Sequence, residues 1–111
     1  MEKPKIRVGA DSTSNEIAPI AMAIHEMVVE LPVTMRTLNK RGVRIEKGKI
    51  MDDDYSGPIL EMALESNSTI KTVPKDGAYK GIPVVVSTIK NEDGNAVAVI
   101  GVVDVINGLK L

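Results

Sequence analysis

Two apolar runs near the end of the chain, Ile82 to Ile89 and Ala96 to Val105, flank a polar stretch, Asn91-Glu92-Asp93-Gly94-Asn95. Its residues accept turn geometry and positive φ, so the pattern predicts a β-hairpin. Val, Ile and Thr dominate both arms, and Pro83 with the β-branched run after it opposes a helix. A strand with one wet face alternates, yet Val84, Val85 and Val86 run together, as do Val97 to Ile100 and Val102 with Val103. Both arms are therefore expected to be covered on both faces. Helices of the same chain can cover one face; the other calls for a second layer, a partner subunit or a ligand cavity.

Residues 1–12 mix charge with Pro4 and Gly9 and read as a mobile lead-in or an edge strand around Ile6 to Val8. Thr13 with Glu16 three residues on, and Ser14 beside it, signal a helix start. Pro19 suits only a first turn, which predicts a regular helix from about Asn15 to Glu30, closed by Pro32. Ile17, Ile20, Ile24, Met27 and Leu31 form a heptad-like seam with Ala21 and Val28 alongside, while Ala18, Met22 and Val29 lie off it. Such a helix is apolar over more than one stripe. It either pairs with a second copy, giving a homodimer through residues 15–31, or sinks into its own core.

Period-two alternation from Val33 to Lys49 predicts two strands broken at Asn39 to Gly42, with a turn at Lys47-Gly48 leading into Ile50-Met51. Asp52-Asp53-Asp54 reads as an acidic turn. Ser56-Gly57-Pro58 then starts a helix running to about Ser66, buried through Ile59, Leu60, Ala63 and Leu64 and ended by Asn67. Ser68 to Val73 reads as a strand, followed by a loop from Pro74 to Gly81. The fold class is α+β: one domain over 1–111, a single antiparallel sheet of about five strands, and two main helices mostly on one face. That order occurs in PAS and Cache sensors and in profilin-like and roadblock-like modules, a likeness that carries no activity.

Composition removes several chemistries. The net charge is −1, which gives no electrostatic case for nucleic acid or an anionic membrane. There is no Phe, no Trp and only two Tyr, so the stacking platforms of aromatic cofactors are missing. With no cysteine, thiolate catalysis, iron-sulfur clusters and Cys-based zinc sites are excluded, and no cofactor is expected. No apolar run is long enough to span a membrane, and the first residues lack a signal-peptide core. A cytoplasmic protein is the expectation.

Three stretches together resemble a known family: LPVTMRT at 31–37, GVRIEKGKIMDDDYSGPILE at 42–61 and YKGIPVVVSTIKNEDGNAVAVIGVVD at 79–104. They are similar to an uncharacterised family of small archaeal proteins, found chiefly in methanogens. The resemblance implies a source and no mechanism. Separately, Ser87-Thr88-Ile89, Asp93-Gly94 and Ile100-Gly101-Val102 resemble the closing hairpin of PAS and Cache sensors, although the aromatic residues usual there are absent.

Thr34, Arg36, Arg41 and Arg44 can project from the first strands toward an anion, since guanidinium recognises carboxylate or phosphate bidentately; a solvated strand face explains them equally simply. Arg36 shares a strand face with Thr34 and is the strongest of them. Asp104 ends a buried strand, where it either caps a turn near Asn107-Gly108 or pairs with a cation such as Arg36 or Arg44. Tyr55 and Tyr79 each lie near Gly and either wall a pocket or anchor loops. The aspartates at 52–54 do not match a calcium loop, and His25 has no companion ligand, so no metal is expected and His25 is structural or at a dimer surface. The glycines match neither a P-loop nor a Rossmann spacing.

The expected function is binding of a small anionic ligand between sheet and helix, with Thr34, Arg36, Arg44, Tyr79 and Asp104 as candidate contacts. The alternative is a dimeric protein assembly module of roadblock or profilin-like type. A small enzyme using Asp104 and an arginine stands third.

Overall fold

The computed structural model describes residues 7–104, and its first regular element is a helix, α1 (Ser14–Met27). Thr13 opens it, with its backbone N–H and its hydroxyl both donating to Glu16 Oε1 at 2.9 and 3.1 Å. The expected start at Asn15 is thus one residue late. Pro19 lies inside the helix, on its exposed side, so the missing N–H falls where solvent reaches. Ile17, Ala21 and His25, spaced by four, form the buried stripe.

The helix ends at Met27, three residues before the expected Glu30, and the cause is His25. Its Nδ1 lies 2.7 Å from the Leu31 carbonyl oxygen, and the Gly48 N–H donates to its Nε2 at 2.9 Å. A carbonyl only accepts and an amide only donates, so this pair specifies the neutral, Nδ1-protonated imidazole. To bring Leu31 back onto the ring, the chain turns through Val29 and Glu30 at φ 51° and 62°. His25 is fully buried, which makes it structural.

Six strands follow where about five were expected: β1 (Val33–Thr37), β2 (Gly42–Glu46), β3 (Lys49–Tyr55), then α2 (Pro58–Ser66), β4 (Ile70–Thr72), β5 (Val84–Lys90) and β6 (Ala96–Val103). The sheet runs β3-β2-β1-β6-β5-β4, antiparallel throughout. Asp52 to Asp54 are part of β3 and not a turn; the run to Tyr55 pairs with β2 through two irregular steps. Arg7 and Val8 form no strand, while Ile6 lies outside the described residues.

The two helices cover opposite faces, not one. Ile17 and Ala21 of α1 pack on Val33, Met35, Val43, Ile45 and Ala98. On the other face Thr34 pairs with Gly101 and Gly101 with Val86. A Cβ on Gly101 would meet Thr34 Oγ1, Val86 Cγ1 and Leu60 Cδ2 at 2.7, 3.0 and 3.2 Å, which puts α2 on that face. There Leu60, Ala63 and Leu64 join Tyr55, Val86, Ala96 and Val99. The sheet is thus a shared wall between two apolar clusters, which is why β6 lacks alternation. Each large buried side chain here contributes about 1.5–3 kcal/mol.

α2 and the final hairpin follow the expected chemistry. Pro58 occupies the first helical position and Asn67 ends the helix at φ 53°. In the hairpin loop Asn91 Oδ1 accepts the N–H groups of Asp93 and Asn95, each at 3.0 Å. No helix among the described residues is long and apolar enough to cross a membrane.

Candidate functional site

A pocket opens on the α2 face, floored by Thr34 of β1, Val84 and Val86 of β5 and Gly101 to Val103 of β6. The start of α2, from Gly57 to Leu60, and Tyr55 form one wall. The connection from β4 to β5, through Pro74, Asp76, Ala78 and Tyr79, forms the other. The pocket holds about 40 Å³ of free space within a cleft of about 440 Å³. At 10–15 Å³ for each water, that is room for roughly three waters.

Its lining is mainly aliphatic, with a few polar groups. Thr34 and Tyr55 are 6% and 8% exposed, and among the described residues neither hydroxyl has a hydrogen-bond partner. The Tyr55 hydroxyl lies 2.6 Å from where a Cβ on Gly57 would stand, so only a glycine leaves it room. Burial pushes the Tyr55 phenol above its ordinary range and keeps it a donor. Asp76 is exposed.

The β4–β5 connection is shaped by Gly77 and Gly81, at φ 85° and 83°, and closed by Gly81 N–H donating to the Pro74 carbonyl at 2.9 Å. A Cβ on Gly77 would touch Pro58 at 3.3 Å, so this strap lies against the head of α2. Between the glycines, the Tyr79 hydroxyl donates to Glu46 Oε2 at 2.8 Å, and Arg44 Nη1 donates to the same oxygen at 2.7 Å. The Tyr79 hydrogen bond, aided by Arg44, holds the Glu46 carboxyl below its usual range despite some desolvation. Burial, then Glu46, pushes the Tyr79 phenol well up. Tyr79 therefore latches the strap across the sheet onto β2.

Of the five candidate contacts, Thr34 and Tyr79 line the pocket, whereas Arg36 and Arg44 do not. Arg36 gives Nε to the Thr37 carbonyl, Nη2 to the Leu38 carbonyl and Nη1 to Ser56 Oγ, at 2.9, 2.9 and 2.8 Å. Ser56 Oγ in turn donates to Glu61 Oε2 at 2.7 Å, and Arg36 Nη1 lies 3.6 Å from that oxygen. Arg36 thus ties β1 to the first turn of α2, and Arg44 is spent on Glu46. Arg41 lies on the exposed edge with Asp54. Asp104 is buried beyond β6, with its N–H donating to the Pro83 carbonyl at 2.9 Å. The acids beside Arg36 and Arg44 are Glu61 and Glu46, and the turn near Asn107-Gly108 expected for Asp104 lies outside the described residues.

Sequence reading missed Glu46, Ser56, Glu61 and the head of α2. The i, i+2 spacing of Arg44 and Glu46 on one strand face was a usable signal. Glycine at the helix cap, with no side chain to satisfy the first amides, was another.

No solved structure matches the chain. The chain is 43% identical over 107 residues to the uncharacterized protein MJ0405 of Methanocaldococcus jannaschii, an alignment covering 96% of this chain and 81% of that protein. A family model described as an uncharacterized protein conserved in archaea (DUF2111) matches residues 24–106, and the chain belongs to that family.

Proposed function

We propose that this protein is a sensor-like domain that binds a small molecule in the pocket between the sheet and α2. The observation that carries the reading is the pair of unpartnered hydroxyls that two buried residues, Thr34 and Tyr55, present to an otherwise apolar lining. In an apolar lining, a few placed polar groups of this kind fix the orientation of a bound molecule. The free space of about 40 Å³ favours a ligand of few heavy atoms over a cofactor, whose pockets run to roughly 300–1,000 Å³. Among the described residues neither hydroxyl is hydrogen-bonded to a base, which favours binding over turnover. Native mass spectrometry of gently purified protein tests this: a small mass that disappears on denaturation supports it. A bare mass, together with no response of the pocket to small fragments, refutes it.

A second reading, a dimer through the α1 region, is favoured by one apolar surface. On the α1 face no described element covers β6 and β5, where Ile89, Ile100 and Val102 lie half-buried against the same cluster as Ile20 and Ile24 of the helix and Val28 just after it. Sedimentation velocity of the wild type and of Ile24→Glu decides it. A dimer dissociated by the substitution supports the reading, and a monomeric wild type ends it.

A further inference from the structure

We propose that the pocket is a carboxylate site whose ligand is a short-chain aliphatic monocarboxylate, its carboxyl group at the head of α2 and its tail along Val84 and Val86. This rests on the ligand-binding reading above and names the ligand class.

The first argument is the helix end. The nine-residue α2 begins with Gly57 as cap and Pro58 at its first position, and no side chain caps it. Pro58 has no N–H, and the Glu61 N–H is used on the Gly57 carbonyl. The amides of Ile59 and Leu60 are therefore the ones without an intrahelical acceptor, and Leu60 is only 3% exposed. They carry the positive end of the helix dipole into the pocket wall.

The second argument is independent of the helix. Thr34 and Tyr55, each more than nine-tenths buried and unpartnered, line the same pocket from the sheet side. Two amides and two hydroxyls match the roughly four lone-pair sites of one carboxylate. The acid in the first turn of α2, Glu61, does not compete, because Ser56 and Arg36 hold its carboxylate. Arg36 also adds positive charge beside the helix head.

The lining then sets the class. No Lys or Arg lines the pocket among the described residues, so the site lacks the fixed charge that a phosphate dianion calls for. Ile59, Leu60, Val84, Val86 and Val103 offer an apolar bed for a short tail, and space for about three waters suits propionate better than a larger acid. The lining acid, Asp76, is exposed and so belongs to the solvent side, which points the carboxyl group inward past it.

The test is an amide chemical-shift titration of the full chain with sodium propionate, its neutral isostere propanamide, and inorganic phosphate. Saturable propionate shifts at Ile59 and Leu60 are expected, with affinity about tenfold weaker in Thr34→Val and in Tyr55→Phe and retained in Thr34→Ser. The amide spectrum reports that each variant is folded, and the two substitutions lie on different strands, so loss of one fold leaves the other test standing. Equal or tighter binding of propanamide or phosphate at the pocket overturns the carboxylate class while sparing the ligand-binding reading. Propionate shifts confined to surface lysines, or unchanged affinity in folded Thr34→Val, also overturn the class. A pocket silent to all three probes overturns the class and counts against the broader reading as well.

Discussion

His25 joins three segments that share no other side-chain hydrogen bond among the described residues: its own helix, the turn at Leu31 and the β2–β3 turn at Gly48. Replacing it with alanine removes a buried ring and takes away the partner of the Leu31 carbonyl and the Gly48 amide. His25→Ala is expected to cost about 3 kcal/mol or more, read by urea denaturation. A loss under 1 kcal/mol would mean that water replaces the ring. Tyr79 makes a subtler contribution. Tyr79→Phe is expected to lower stability by about 1 kcal/mol at neutral pH. Because the Glu46 carboxyl is held low in the folded state, its contribution is present above the ordinary glutamate range and fades as pH falls below about 4. The Tyr79 phenol is raised, so its contribution is present below about pH 10 and fades above it. The stability gap between wild type and Tyr79→Phe should accordingly narrow at both ends of the scale. A gap independent of pH would show that the ring, and not the hydroxyl, closes the strap.

Among the elements, β6 has the least room. Gly101 sits where Thr34, Val86 and Leu60 all converge, and a methyl group there comes within 2.7 Å of the Thr34 oxygen. Gly101→Ala is expected to cost about 1–3 kcal/mol through overpacking, measured by thermal unfolding. An unchanged midpoint would indicate that α2 can ride outward. The hairpin containing this strand was legible because both arms are rich in β-branched residues and the loop has its own turn chemistry. The faces covered by the helices were not. In β1, Val33 and Met35 against Thr34 and Arg36 identify one apolar face, but β6 is apolar on both and gives no sign of which helix takes which side. The arginines misled for a related reason: Ser56 and Glu61 reach Arg36 from the head of α2, a partnership that spacing within β1 cannot express. The early end of α1 was hidden likewise, since it depends on the remote Gly48.

At the scale of the molecule, two successive α-β-β-β units contribute three adjacent strands each, and within the sheet the halves are joined where β1 pairs with β6. Amides of this central pair are expected to exchange slowest with solvent, and those of the short edge strand β4 fastest, as hydrogen exchange with mass spectrometry can read. Faster exchange at Met35 and Val99 than at Lys71 would contradict this order. The same seam has a consequence for how uniquely the chain finds its shape. Val33 to Thr37 face Val102 to Ala98 in strict step. A slip of one residue would invert every side chain of β1 relative to β6, putting Thr34 and Arg36 under α1 and Met35 against Leu60. Most sheets guard against such a slip with one buried face, whereas here an error in alignment would spoil both compartments together. Misregistered forms are thereby penalised twice, and the five pairs of the seam act as the checksum of the fold.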